Sequence, residues 1–120
     1  HIIYCNLIVE IQMNFKEYQE ACKETAIYDR KYATVYPVLG LVGEAGEIAN
    51  KFKKVLRDNN GQMLDNIQKE LMKEIGDVLW YCSALATDMK VSLQQIAQDN
   101  IEKLLSRKER GTLQGNGDNR

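Results

Sequence analysis

Between Phe15 and Leu105 the apolar residues recur every three or four positions, and a single proline, Pro37, interrupts the run. That period belongs to a helix of about 3.6 residues per turn; a half-buried strand would alternate every second residue. No strand pattern of useful length follows residue 12, so the chain is expected to be all-α. Asn14 with Glu17 three residues on is a capping-box start, followed by Phe15, Tyr18, Ala21 and Cys22 at helical spacing. Residues 28–35 read as a connection. Pro37 suits the first turn of a second helix reaching about Leu56, because proline loses no needed hydrogen bond there. Residues 57–62, RDNNGQ, form a turn, and a long third helix spans roughly Met63 to Met89. Ser92 with Gln95 opens a fourth helix, carrying Leu93, Ile96, Ala97, Ile101, Leu104 and Leu105 to about Arg107. The expected fold is a four-helix, bundle-like chain.

A length of 120 residues bounds this to one domain with one core. A net charge of −1 gives no electrostatic case for binding nucleic acid or a membrane surface. Three cysteines, Cys5, Cys22 and Cys82, form no CxxC pair, which argues against a disulfide framework or a zinc site. Cys22 and Cys82 fall on apolar faces and read as reduced core thiols of a cytoplasmic protein. The opening HIIYCNLIVEIQ is apolar but too short to span a bilayer and lacks the basic start of a signal peptide. Residues 1–12 are therefore read as an extraneous or upstream segment, 13–110 as the domain, and the glycine-rich 111–120 as a flexible tail.

The stretch GLVGEAGEIANKFKK, residues 40–54, combines three glycines with two glutamates inside a helix. On a wheel of about 100° per residue, Leu41, Ala45, Ile48, Phe52, Val55 and Leu56 form one apolar face, with Glu44, Glu47 and Lys51 on a separate stripe. The third helix repeats the layout: Ile67, Leu71, Ile75, Val78, Cys82 and Leu85 face the core, while Glu70, Glu74, Asp77 and Tyr81 flank it. Antiparallel packing of the two helices would bring the acidic stripes together at one edge. Acids three apart repel one another on a helix, yet the spacing occurs twice, as Glu44–Glu47 and Glu74–Asp77. Lys51, Lys54, Lys69 and Lys73 are too few to settle that charge, and a solvated flank is the plainer alternative. Convergent carboxylates hold their charge with a cation, and hard oxygen ligands favour Mg²⁺ or Mn²⁺. A di-iron bundle is excluded, because it needs paired Glu-x-x-His motifs and the only histidine is His1. Gly43 and Gly46 fall away from the core face. They either admit the close approach of a second subunit or loosen the helix around the glutamates.

These motifs resemble those of the MazG-like all-α nucleoside triphosphate pyrophosphohydrolases. Glu44-x-x-Glu47 and Glu74-x-x-Asp77 stand twenty-six residues apart in the contexts LVGEAGEIANKFKK and KELMKEIGDVLWY, and Asn100-x-x-Lys103-x-x-x-Arg107 follows. The resemblance covers about residues 14–110. It implies an enzyme assembling as a dimer or dimer of dimers, with Glu44, Glu47, Glu74 and Asp77 binding Mg²⁺ (or Mn²⁺) that grips a nucleoside triphosphate. Glu44 or Glu47 would act on the water, and the products would be a nucleoside monophosphate and pyrophosphate. Asn100, Lys103 and Arg107 match substrate-side positions, and the two cations suit phosphate oxygens. Lys51 and Lys54 are further phosphate candidates. Trp80 reads as packing, while Tyr81, on the acidic stripe, is the candidate for stacking on a base. The role implied is house-cleaning or nucleotide-pool control. The rival readings are a phosphoribosyl-ATP pyrophosphohydrolase-like enzyme and a non-catalytic helical dimerisation or regulatory module.

Overall fold

The computed structural model describes residues 12–120, so the reading of the opening segment lies almost wholly outside the described residues. Four α-helices follow in order: α1 Phe15–Cys22, α2 Val35–Asp58, α3 Asp65–Asp88 and α4 Leu93–Glu109. Short 3₁₀ turns at Lys23–Thr25 and Arg30–Tyr32 lie in the α1–α2 connection. There is no strand among the described residues. The expected all-α fold is therefore the observed one.

The local signals act largely as expected. The Asn14 carboxamide accepts from the Glu17 amide at 2.8 Å and the Glu17 carboxylate accepts from the Asn14 amide, completing the capping box. Ser92 caps α4 by accepting from the Gln95 amide at 3.2 Å, but Gln95 turns its side chain to Asp99 at 2.7 Å, leaving half a box. Pro37 is buried in the first turn of α2.

α2 and α3 form the main pairing, an antiparallel hairpin closed by a turn in which Asn60 and Gly61 take positive φ. α1 packs across α3 and α4. Gln19 of α1 ties this junction together: its amide donates to Thr87 Oγ1 at 3.1 Å and the Val91 carbonyl at 3.0 Å, and its carbonyl accepts from the Leu93 amide at 2.9 Å. Cys22, Ala84, Ala86, Leu93 and the fully buried Ser83 form the enclosed part here, with Val55 and Leu71 buried on the long helices.

The predicted core faces of α2 and α3 are only partly covered. Phe52, Leu56 and Ile75, all expected inside, are exposed, and so is Ala45. A single partner helix shields a narrower arc than the apolar surface these two helices carry. Leu39 is 68% and Val42 67% exposed, and Val35 lies on the same side of α2. Met72 and Ile75 are likewise uncovered on α3.

Candidate metal centre and its surroundings

Because α2 and α3 run antiparallel, the first acid motif on one helix meets the second on the other. Glu44, Glu74 and Asp77 each offer an oxygen, and the three oxygens lie within 4.8 Å of one another. Glu44 and Glu74 are half-buried and Asp77 is exposed, so the cluster opens to solvent. Hydrogen bonding to Glu74 pushes the Glu44 carboxyl above its usual range, and partial burial and the charges of Asp77, Glu74 and Glu47 add to the shift. Three crowded oxygens with no sulfur or imidazole among them fit a hard divalent cation.

The other expected site residues divide. Glu47 is exposed, one turn from Glu44, and is not among the clustered oxygens. Lys51 sits beside the acids: its ammonium is 3.5 Å from Glu70 and 3.8 Å from Glu74. Lys54 shares a small cleft with Lys51, Asp58 and Glu70. Lys103 and Arg107 pair with Asp118, and Asn100 is exposed on α4. The 111–120 segment, expected to be flexible, is folded back onto the end of α4 by these contacts and by Arg120.

Tyr81 follows Asp77 by one turn and feels the charge of Glu44. Burial is the first cause of its raised pKa, with Tyr36 and Glu44 following. Its ring occupies the space beside Gly40, where a Cβ would fall inside the ring. Gly40 is thus the one helix-interior glycine with a contact that requires it. Gly43, Gly46 and Gly76 have nothing within 4 Å of an added Cβ. Tyr36 lies 6.4 Å from Tyr81 and stacks on Tyr28 at 4.6 Å. Trp80 donates its indole N–H to Thr25 Oγ1 at 2.8 Å and meets Tyr81 edge-on at 5.1 Å, in keeping with a packing role.

At the far end of the aromatic row is Asp88, whose side chain is 1% exposed. It accepts from Tyr28 Oη at 2.5 Å, the Thr34 amide at 2.9 Å and Arg30 at 2.9 Å. Burial alone would raise its pKa, but the three donors outweigh that and hold it below the ordinary value. Sequence reasoning missed this carboxylate. The available signal was its place as the last residue of a helix, where a negative charge opposes the helix dipole and needs donors. Thr34, at φ 71°, is a β-branched residue at positive φ, held there by the hydrogen bond its main-chain N–H donates to Asp88.

The fold is thus an all-α hairpin that brings a cluster of three carboxylates together from two antiparallel helices. Residues 36–112 match the MazG nucleotide pyrophosphohydrolase domain, and the chain belongs to that family. The family couples nucleotide pyrophosphohydrolysis to a divalent metal. The Gene 37 protein of Mycobacterium phage L5 is 47% identical over 114 residues, covering 90% of this chain and 100% of that protein. No solved structure matches the chain.

Proposed function

We propose that the chain hydrolyses nucleoside or deoxynucleoside triphosphates to the monophosphate and pyrophosphate in a Mg²⁺-dependent reaction, with Mn²⁺ as a substitute metal. The observation that carries this is the convergence of Glu44, Glu74 and Asp77 within 4.8 Å, on a chain of the pyrophosphohydrolase family. Glu44, Glu74 and Asp77 hold the metal, with Glu47 completing the set from the same helix as Glu44. A metal bound there supplies charge neutralisation of the triphosphate and lowers the pKa of a nearby water. Glu44 or Glu47 takes the proton of the attacking water. The water oxygen bonds to the α-phosphorus, and the bond from that phosphorus to the bridging oxygen breaks. Pyrophosphate leaves with the electron pair. In this reading Lys51, 3.8 Å from Glu74, and Lys54 on the same helix meet phosphate oxygens, and Asn100, Lys103 and Arg107 of α4 supply further substrate contacts. Tyr81 and Tyr36 offer ring faces for the base.

The active form is a homo-oligomer, dimer or tetramer. Supporting this, Val35, Leu39 and Val42 share one exposed apolar stripe of α2 with Gly43 and Gly46. No described helix is long and apolar enough to cross a membrane. The reduced-thiol composition fits a cytoplasmic role in the nucleotide pool.

The test is a panel of ribo- and deoxyribonucleoside triphosphates with Mg²⁺, separating pyrophosphate from orthophosphate release. Pyrophosphate with the matching monophosphate is expected. Orthophosphate alone would place the cleavage at another phosphoryl bond and overturn the pyrophosphohydrolase assignment, and no turnover of any nucleotide by an intact oligomer would replace this reading with that of a non-catalytic helical module. Tyr81→Ala is expected to raise KM about tenfold through lost base stacking.

A further inference from the structure

Arg107 is only 3% exposed, although it sits in the last turns of α4. Its Nη2 donates to the main-chain oxygen of Asp118 at 2.7 Å and to Asp118 Oδ1 at 3.3 Å. The same carboxylate oxygen is 3.3 Å from Lys103 Nζ, one turn earlier. Arg107 Nε is buried and has no hydrogen-bond partner. One oxygen thus bridges two cations, the arrangement in which Lys and Arg grip a phosphoryl oxygen.

The carboxylate itself is lightly held. Asp118 has an 84% exposed side chain and is the only acid in residues 111–120. Closure of the segment does not depend on that carboxylate. Arg120 donates to the carbonyls of Thr112 at 3.2 Å, Leu113 at 3.2 Å and Gly117, and Arg110 donates to the Arg120 carbonyl at 3.0 Å. The main-chain bond from Arg107 to Asp118 anchors the strap on its own. The side chain can swing into solvent while the strap stays shut.

We propose that the Asp118 carboxylate is a built-in counter-anion on the Lys103–Arg107 pair, displaced by a terminal phosphoryl oxygen of the substrate triphosphate or of the pyrophosphate product. This rests on the reading that Lys103 and Arg107 meet substrate phosphates. The strap then raises the threshold for polyphosphate binding, and the two cations never stand bare between turnovers. Arg107 serves both states without leaving its buried position, because its anchor is a carbonyl and only its second partner changes.

The variant Asp118→Asn removes the competing charge and keeps the side chain's shape. Each exposed ion pair is worth up to about a factor of five in an equilibrium. Calorimetry with inorganic pyrophosphate and Mg²⁺ is therefore expected to show about three- to tenfold tighter binding in D118N than in the parent. KM for the best nucleotide of the panel should fall by a similar factor, and Asp118→Glu should return both constants towards the parental values. A change in KM alone assigns the displaced contact to the triphosphate, and a change in pyrophosphate binding alone assigns it to the product. Limited proteolysis across residues 112–118 should be no faster in D118N than in the parent. Unchanged or weaker binding in both assays would overturn the proposal and make Asp118 a strut that positions the cations. Tighter binding with faster cleavage across the strap would overturn it in favour of opening of the whole segment. Tighter pyrophosphate binding without turnover of any nucleotide would uphold the strap and sink the enzymatic reading, so the two fail separately.

Discussion

Two groups of carboxylates occupy opposite ends of one row of aromatic rings, and the protein treats them in opposite ways. Asp88 is sealed from solvent and given three donors, from a tyrosine, an arginine and a main-chain amide. Glu44, Glu74 and Asp77 are left partly open and crowded against each other, with Lys51 the nearest cation. Desolvating a charge costs free energy, and donors repay that cost at Asp88. At the other end the mutual repulsion is only partly offset, by Lys51 at 3.8 Å from Glu74. The opposite effects on pKa, downward at Asp88 and upward at Glu44, record the difference. A satisfied carboxylate holds a fold together, and a crowded, partly open one is where the proposed reading puts a cation.

The contrast makes different substitutions fail in different assays. Glu44→Gln is expected to lower kcat by at least about a hundredfold, since metal-assisted charge neutralisation is worth several kcal/mol. Its metal-free Tm should not fall, because one like-charge repulsion is removed. A drop in Tm with turnover intact would reverse the assignment. Removing Mg²⁺ with a chelator should abolish turnover in the parent, and restoring Mg²⁺ with a nonhydrolysable triphosphate should raise the parental Tm but not that of Glu74→Gln.

At the sealed end the signs exchange. Asp88→Ala leaves Tyr28, Thr34 and Arg30 without their acceptor and is expected to destabilise by about 2–4 kcal/mol, read from urea unfolding. Gly40→Ala lies between the two ends. Its methyl meets the Tyr81 ring, and a loss of about 1–3 kcal/mol is expected, together with a raised KM if Tyr81 serves the base.

The pH dependence sharpens the same comparison. The folded pKa of Asp88 lies below its unfolded value, so on acidification the unfolded chain binds the proton first. Its contribution is whole above the unfolded pKa and is lost as pH falls through the folded one. The stability gap between the parent and Asp88→Asn should therefore be largest near pH 6 and shrink below about pH 4. A gap that widened on acidification would contradict the geometry. The smallest effect is expected at Thr34→Gly. It relieves a positive φ and removes no side-chain cap bond, so stability should change little or rise by up to about 1 kcal/mol, set by strain relief against lost glycine entropy.

How much of this was legible in the chain depends on the range of the interaction. Helix existence, the Asn14–Glu17 box and the Ser92 cap are local, and each appears where the periodicity and capping residues put it. The meeting of Glu44 with Glu74 and Asp77 was legible too, because two stripes at fixed angles on antiparallel helices can converge at only one edge. Phe52, Leu56 and Ile75 lie on the predicted core faces yet are exposed. A wheel reports which residues share a face and not how wide an arc the neighbour covers. Trp80, read as a packing ring, donates to Thr25, and Tyr81, read beside the acids, feels the charge of Glu44.

The sequence by itself determined an all-α chain, two acidic stripes and the hard-oxygen character of the site they form, because periodicity and ligand chemistry are properties of neighbouring residues. Only the tertiary structure decided that Gly40 yields to Tyr81, that Asp88 holds Thr34, and that Asp118 bridges Lys103 and Arg107. The first two pair residues 41 and 54 positions apart along the chain (81 − 40 and 88 − 34). The third turns on a backbone reversal after α4 that glycines permit but do not specify. Contacts of that kind are fixed by how the helices and loops come to rest together, and no local pattern carries them.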